Sequence, residues 1–187
     1  MKTAPLLLLF AGTLLAASPA IAADEATHPR KDLHVIVDVS NAINNYPRLT
    51  VFDDVGANVR DGVVQLTGKV TNPYKRTELV KRVQKIDGVF EVHDQISVLP
   101  VSQFDDELRA RIARSIYGNS NFWMYAMMPN PPIHIIVERG RVTLTGVVQS
   151  EVDRALARSL ASQFGAFSIT NELRTVAEVR DSVEEGA

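Results

Sequence analysis

The side chains able to do chemistry are few and scattered. Histidine occurs four times, as His28, His34, His93 and His134, and cysteine not at all. The chain contains no G-x-S-x-G elbow, H-E-x-x-H pair, P-loop or G-x-G-x-x-G turn. His134 lies in Ile133-His-Ile-Ile-Val137. Alternation sets it opposite Ile133 and Ile135, and no second ligand stands at metal-binding spacing, so it reads as a partly buried, hydrogen-bonded strand residue. His93 reads the same way, and His34 falls on the exposed side of a helix. Asp53-Asp54 offers two carboxylates, but no further oxygen ligands follow at the spacing of a calcium loop. The pair reads as a solvated turn. No catalytic residue, metal site or cofactor is expected, since no nucleophile, base and oxyanion donor can be assembled.

Two stretches carry binding chemistry instead. Lys75, Arg76, Lys81, Arg82 and Lys85 place a basic stripe beside the apolar face of one helix. A solvated face explains it. So does an anionic partner, for which phospholipid headgroups are the candidates. The second stretch, Asn121 to Pro132, gathers Phe122, Trp123, Met124, Tyr125, Met127 and Met128, including the only tryptophan and three of the four methionines. Tryptophan and tyrosine suit a membrane interface or a binding hot spot, and methionine an adaptable surface. These residues either pack between domains or face a partner.

The elements that must position these residues can be read along the chain. Net charge is −2, with no basic excess to mark a nucleic-acid binder. Apolar content of 45% and charged content of 22% indicate a globular protein. Residues 1–22 read as a cleaved secretory signal, with Lys2, an apolar run from Leu6 to Ala17 and the cleavage site Ala20-Ile21-Ala22. That run is shorter than the roughly 20 residues a membrane span needs. The expected product is an exported periplasmic protein without a transmembrane span after cleavage. Lacking cysteine, it has no lipidation site.

Residues 23–31 are polar and expected to fray. From Asp32, the spacing of Leu33, Ile36, Val37 and Ile43 predicts a helix that Pro47 ends. Val55, Ala57 and Val59 alternate as a strand, Asp61-Gly62 marks a tight hairpin, and Val63 to Val70 returns. Asn72-Pro73 caps a helix whose buried face is Leu79, Val80, Val83 and Ile86, ended by Asp87-Gly88. A strand follows with Phe90, Val92, Asp94, Ile96 and Val98 on one side. After a connector at 100–103 the order recurs. Leu108, Ile112 and Ile116 mark a helix stopped by Gly118, and Ile133–Val137 begins a hairpin. Ser150 with Asp153 caps a helix bearing Leu156, Leu160 and Phe164. The acidic tail at 177–187 is expected to be loosely held.

The recurrence is explicit. Gly62-Val-Val-Gln-Leu-Thr-Gly-Lys-Val70 and Gly140-Arg-Val-Thr-Leu-Thr-Gly-Val-Val148 agree at six of nine positions. Each keeps a glycine inside a strand, a weakening that a fold tolerates only where the backbone bends or a neighbour comes close. The closing segments Asp87 to Asp94 and Phe164 to Asn171 match as well. The expected fold is α+β. Two small α-β-β-α-β units span 32–99 and 104–176, each a mixed three-stranded sheet with two helices on one face. The short connector implies that the units touch.

On these two signature strands and closing segments, the chain resembles the BON (bacterial OsmY and nodulation) domain family, with two domains in tandem covering about Asp32 to Val176. The resemblance implies that Gly68, Gly88, Gly146 and Gly165 are structural. It also implies a non-enzymatic envelope module, tied to phospholipid interaction and osmotic or envelope stress, with anionic phospholipid as partner. The alternative is a chaperone-like factor binding exported or envelope proteins. The second domain, which alone carries the aromatic-methionine stretch, is the place to look.

Overall fold

The structure, a computed structural model, describes residues 28–185. The expected signal at 1–22, residues 23–27 and the last two residues of the tail lie outside the described residues. The first unit comprises helix α1 (His28–Asn44), strands β1 (Asp54–Arg60) and β2 (Val63–Val70), helix α2 (Pro73–Val83) and strand β3 (Glu91–Val98). The second comprises α3 (Gln103–Tyr117), a short helix α4 (Trp123–Ala126), β4 (Ile133–Glu138), β5 (Arg141–Val148), α5 (Glu151–Ala161), β6 (Ser168–Asn171), β7 (Arg174–Thr175) and α6 (Val176–Glu185).

Both units have the predicted topology. β1 is antiparallel to β2, and β3 returns parallel to β2 after the α2 crossover. β4 and β5 repeat the hairpin, with β6 and then β7 parallel to β5. The second sheet therefore has four strands rather than three, although β6 and β7 hold one register along the same edge of β5, broken at Glu172-Leu173. Each core is sealed by its helices. Val39, Val64, Leu66, Leu79 and Val83 are buried in the first unit, and Ile112, Ile116, Ile135, Leu144 and Ala157 in the second.

Side-chain caps fix the helix starts. The Asn72 side chain accepts from the Tyr74 N–H, that of Ser102 from Asp105 and that of Ser150 from Asp153.

Several expectations are corrected. Helix α1 begins at His28, four residues before Asp32. Its buried face is Val35, Val39 and Ile43, while Leu33 and Val37 are exposed. Both sets have helical spacing, and the set continued by Tyr46 beyond the helix end is the one that reaches the core. Helix α2 stops at Val83, a turn before Asp87-Gly88. Phe90 and its counterpart Phe167 precede their strands and stand exposed. In α5, Ala157 and Ala161 are fully buried, and Leu156 and Leu160 only partly, as is Phe164 in the turn that follows at Ser162–Phe164. The acidic tail is helical through Glu185, started by the Thr175 hydroxyl, which accepts from the Glu178 N–H at 3.2 Å.

The units meet along the β4 edge. The Ile135 N–H donates to the Val51 carbonyl at 2.6 Å, and Phe52 packs against the core of the second unit. Lys69 Nζ lies 2.6 Å from Glu138 Oε2 across the same junction. Glu138 is held below the usual carboxylate range, chiefly by that hydrogen bond.

Candidate functional site

The aromatic-methionine stretch is neither wholly core nor wholly surface. A helical turn at Ser120–Phe122 runs into α4, with the Asn119 side chain accepting from the Asn121 N–H at 3.0 Å. Over two such turns Phe122 and Tyr125, three residues apart, share the inward face, and the residues between and after them face outward. Phe122 is fully buried and Tyr125 nearly so, their rings stacked 5.7 Å apart. These two are therefore core anchors, which corrects their place in the candidate patch. The Tyr125 hydroxyl accepts from the Gln149 N–H at 2.9 Å, and burial raises its pKa.

Four large apolar side chains face outward. Trp123 is 56% exposed, Met124 54%, Met127 74% and Met128 42%. Burial of their neighbours fixes the backbone, so the four are presented from a braced platform rather than a slack loop. The end of this segment is tied to the first unit, where Asn130 Nδ2 donates to the Asn44 carbonyl at 2.5 Å.

The basic helix is less available than its sequence suggests. Lys75 Nζ lies 2.5 Å from Asp53 Oδ2, with only 13% of its side chain exposed. Arg76 pairs with Asp94 at 2.7 Å, and Arg82 lies over the Tyr46 ring. Lys81 reaches Glu78 at 3.5 Å and is largely exposed, as is Lys85. Lys75 is thus corrected from a surface cation to an internal one. Lys81, Arg82 and Lys85 border a shallow groove with Glu78 and Ala42 at the α1–α2 seam.

Asp53 is not a solvated turn residue. It is 1% exposed, and its carboxylate accepts from Thr50 N–H and Oγ1, Thr71 N–H and Oγ1, and Lys75 Nζ. The sequence signal was present in Thr50, Thr71 and Lys75. Without the fold, nothing shows that three separated residues converge on one carboxylate.

The motif glycines have distinct reasons. Gly68 and Gly146 adopt φ of +116° and +114°, where an added Cβ would lie 2.1 Å from the Asp54 carbonyl oxygen and 1.9 Å from that of Pro132. Gly88, at φ +85°, faces Val35, whereas Gly165 at φ +74° has open space. These two serve the turn after a helix.

Among the described residues the histidine side chains form no constellation. His34 is exposed as expected, but two readings are corrected: His93 is exposed on its strand and pairs with Glu91 at 2.9 Å, and His134, partly buried, leaves its Nδ1 without a hydrogen-bond partner. Among the described residues no group of three or more histidines or carboxylates could hold a metal, and no helix is long and apolar enough to cross a membrane.

Comparison with known proteins gives one family. No curated protein matches the chain. The solved structures that match include two of CdsD, a structural protein of the type III secretion system of Chlamydia trachomatis. The first is 15% identical over 80% of this chain and 97% of that one, with a TM-score of 0.28. The second, the CdsD C-terminal domain, is 13% identical over 76% and 97%, with a TM-score of 0.27. At those scores the likeness carries no inference. The BON domain model, by contrast, matches residues 31–100 and again 104–181. It describes a family of binding domains rather than enzymes. With two α-β-β-α-β units built on the same glycine-bearing strand, the chain belongs to the BON domain family as a tandem two-domain member.

Proposed function

We propose that this protein is an exported envelope factor that docks reversibly on anionic phospholipid through the α4 platform of its second domain. The observation carrying this reading is the outward set Trp123, Met124, Met127 and Met128, braced from behind by buried Phe122 and Tyr125. A rigid tryptophan beside flexible thioethers suits the headgroup boundary, where an apolar side chain with a polar edge gains on both sides. Attraction comes from the remaining surface cations at the end of α2 and just beyond it, chiefly Lys81 and Lys85, with Arg82 at their side. Helix α2 packs on α1, and Asn130 ties the platform segment to the end of α1 at Asn44. Apolar contact plus headgroup attraction gives transient, salt-sensitive adsorption rather than insertion. In this reading the N-terminal signal delivers the protein to the periplasm, and docking serves envelope integrity under osmotic stress.

Trp123, as the only tryptophan, is its own reporter. On titration with vesicles rich in phosphatidylglycerol, its emission shifts to the blue and is quenched by brominated acyl chains. Unchanged emission with bound vesicles would remove the platform from the interface. Unchanged emission with no binding would favour the alternative, a chaperone-like surface for exported proteins. That alternative is then read directly as suppressed client aggregation without lipid.

A further inference from the structure

In the first unit a buried hydroxyl without a partner stands among aromatic and guanidinium groups. Tyr46, just beyond α1, is 4% exposed, yet its Oη makes no hydrogen bond. Burial raises its pKa, so the hydroxyl keeps its proton at neutral pH and is a donor lacking an acceptor. A buried donor left unanswered costs free energy, and each one calls for a reason. The groups that act on it electrostatically are Tyr74, Arg48, Glu78 and Arg82. Arg82 Cζ lies over the Tyr46 ring, 4.8 Å from its centroid, and Arg48 Cζ over that of Tyr74 at 5.3 Å. Among the described residues neither guanidinium has a carboxylate or carbonyl partner. Ring contact steadies each one and leaves its N–H groups for an acceptor.

The fold does not require these residues. With the caps Asn72 and Ser150 aligned, Tyr74, Glu78 and Arg82 of α2 correspond to Val152, Leu156 and Leu160 of α5. Both leucines pack against the second core. The same helix stripe is therefore apolar in the second unit but aromatic and charged in the first. Lys81 and Lys85 add positive charge beside it. Glu78, the carboxylate of the stripe, is partly buried and reaches Lys81 at 3.5 Å.

We propose that Arg48, Arg82 and the Tyr46 hydroxyl form a site for a phosphate group. Two guanidiniums and a hydroxyl donor answer the several acceptor oxygens of a phosphate, and with Lys81 and Lys85 the cations outweigh Glu78. Arg48, Arg82 and Tyr74 are exposed, so a ligand meets them first and reaches the hydroxyl as their side chains part. The phosphate is either free in solution or part of a lipid headgroup. As a lipid site it rests on the docking proposed above; as a phosphate site it stands without it.

Arginine side-chain N–H resonances of the chain lacking residues 1–22, assigned with Arg48→Gln and Arg82→Gln, test the site. The titrant is inorganic phosphate, with chloride at matched ionic strength as control. The Arg48 and Arg82 signals should shift together and saturate with phosphate but not with chloride. Tyr46→Phe has no hydrogen bond to lose, so its stability should be unchanged while it binds phosphate about tenfold more weakly. Each arginine variant should weaken binding at least as much, and Glu78→Gln should tighten it. Flotation with phosphatidylglycerol vesicles separates the two sources. Reduced flotation of the Arg48→Gln, Arg82→Gln double variant assigns the phosphate to lipid, whereas undiminished flotation assigns it to a free solute. A wild type that binds phosphate but never floats keeps the site and removes the docking. Whatever the vesicles do, phosphate shifts that fail to saturate, equal shifts in chloride, or wild-type phosphate affinity in Tyr46→Phe would overturn the site.

Discussion

The Asp105 carboxylate, buried in the first turn of α3, accepts the Gly140 N–H at 2.7 Å and the Arg139 N–H beside it at 2.8 Å. Arg139 and Gly140 both have positive φ, 52° and 72°, as a two-residue hairpin with matched twist requires. One carboxylate thus joins the helix to the hairpin and offsets the strain of a non-glycine residue there. Asp32 does the same for Asp61 and Gly62 at 2.8 and 3.0 Å. Asp105→Ala leaves two turn donors without their acceptor and should destabilise the second unit by about 2–4 kcal/mol. Asp32→Ala, at a partly exposed site, should cost less. Urea denaturation followed by circular dichroism measures both, and equal, negligible losses would contradict the role.

Gly68→Ala and Gly146→Ala should each destabilise by about 3 kcal/mol or more, because each Cβ would enter a backbone carbonyl at an unfavourable φ. Gly165→Ala meets nothing within 4 Å and should lose only about 1 kcal/mol from its positive φ. The ordering, read from thermal midpoints, is the check. A Gly146→Ala protein as stable as Gly165→Ala would contradict the close approach.

Asp53 links acid stability to the first unit. Burial alone would raise its pKa, but Lys75, Thr71 and Thr50 together hold it below the ordinary carboxylate value. A depressed folded pKa stabilises the protein above the unfolded value of about 3.9, and that contribution is lost as pH falls through the folded pKa. Asp53→Asn should cost about 3–5 kcal/mol at neutral pH by leaving Lys75 without its partner, and should flatten the loss of stability below about pH 4. A variant with the same acid profile as the wild type would rule this out.

Tyr117 guards the start of β4 in the other direction. Its hydroxyl donates to the Ile133 carbonyl at 2.5 Å and receives the Ile133 N–H at 3.2 Å. Burial raises its pKa well above the tyrosine range, against a smaller opposing effect of the Ile133 bond. A raised folded pKa means that the contribution is complete below the unfolded value of about 10 and fades as pH climbs beyond it. Tyr117→Phe should lose about 1–3 kcal/mol at pH 7 and show a shallower alkaline decline, measured by denaturation at stepped pH.

The fold was legible because two independent copies of one pattern constrained each other. Alternation gave the strands, Asn72 and Ser150 sit where helix caps belong, and Asp61-Gly62 gave the hairpin, whereas the Ser102 cap lies in what reads as connector. What misled was local ambiguity. Leu33 and Val37 have the spacing of a buried face, yet Val35 and Val39 point inward, because helical periodicity fixes the angle between residues and not which face meets the sheet. Phe90 looked like a core residue by alternation, but its strand starts one residue later. In the candidate site, composition marked residues 121–132 without separating Phe122 and Tyr125 from Trp123 and Met124. The buried pair stands three residues apart over two short turns, too short a run for a periodic signal. Asp53 and Lys75 were each read as surface groups since their partnership spans 22 residues of sequence.

The central claim is that Trp123 and its methionine neighbours hold the protein on anionic phospholipid. Flotation of the chain lacking residues 1–22 with phosphatidylglycerol vesicles and with neutral phosphatidylcholine vesicles, at low and moderate salt, tests it most directly. Trp123→Ala, at an exposed position, should fold like the wild type. The account predicts that the wild type floats with anionic vesicles only, less so as salt rises, and that Trp123→Ala stays at the bottom of the gradient. Equal flotation of the variant, or none by the wild type, would contradict it.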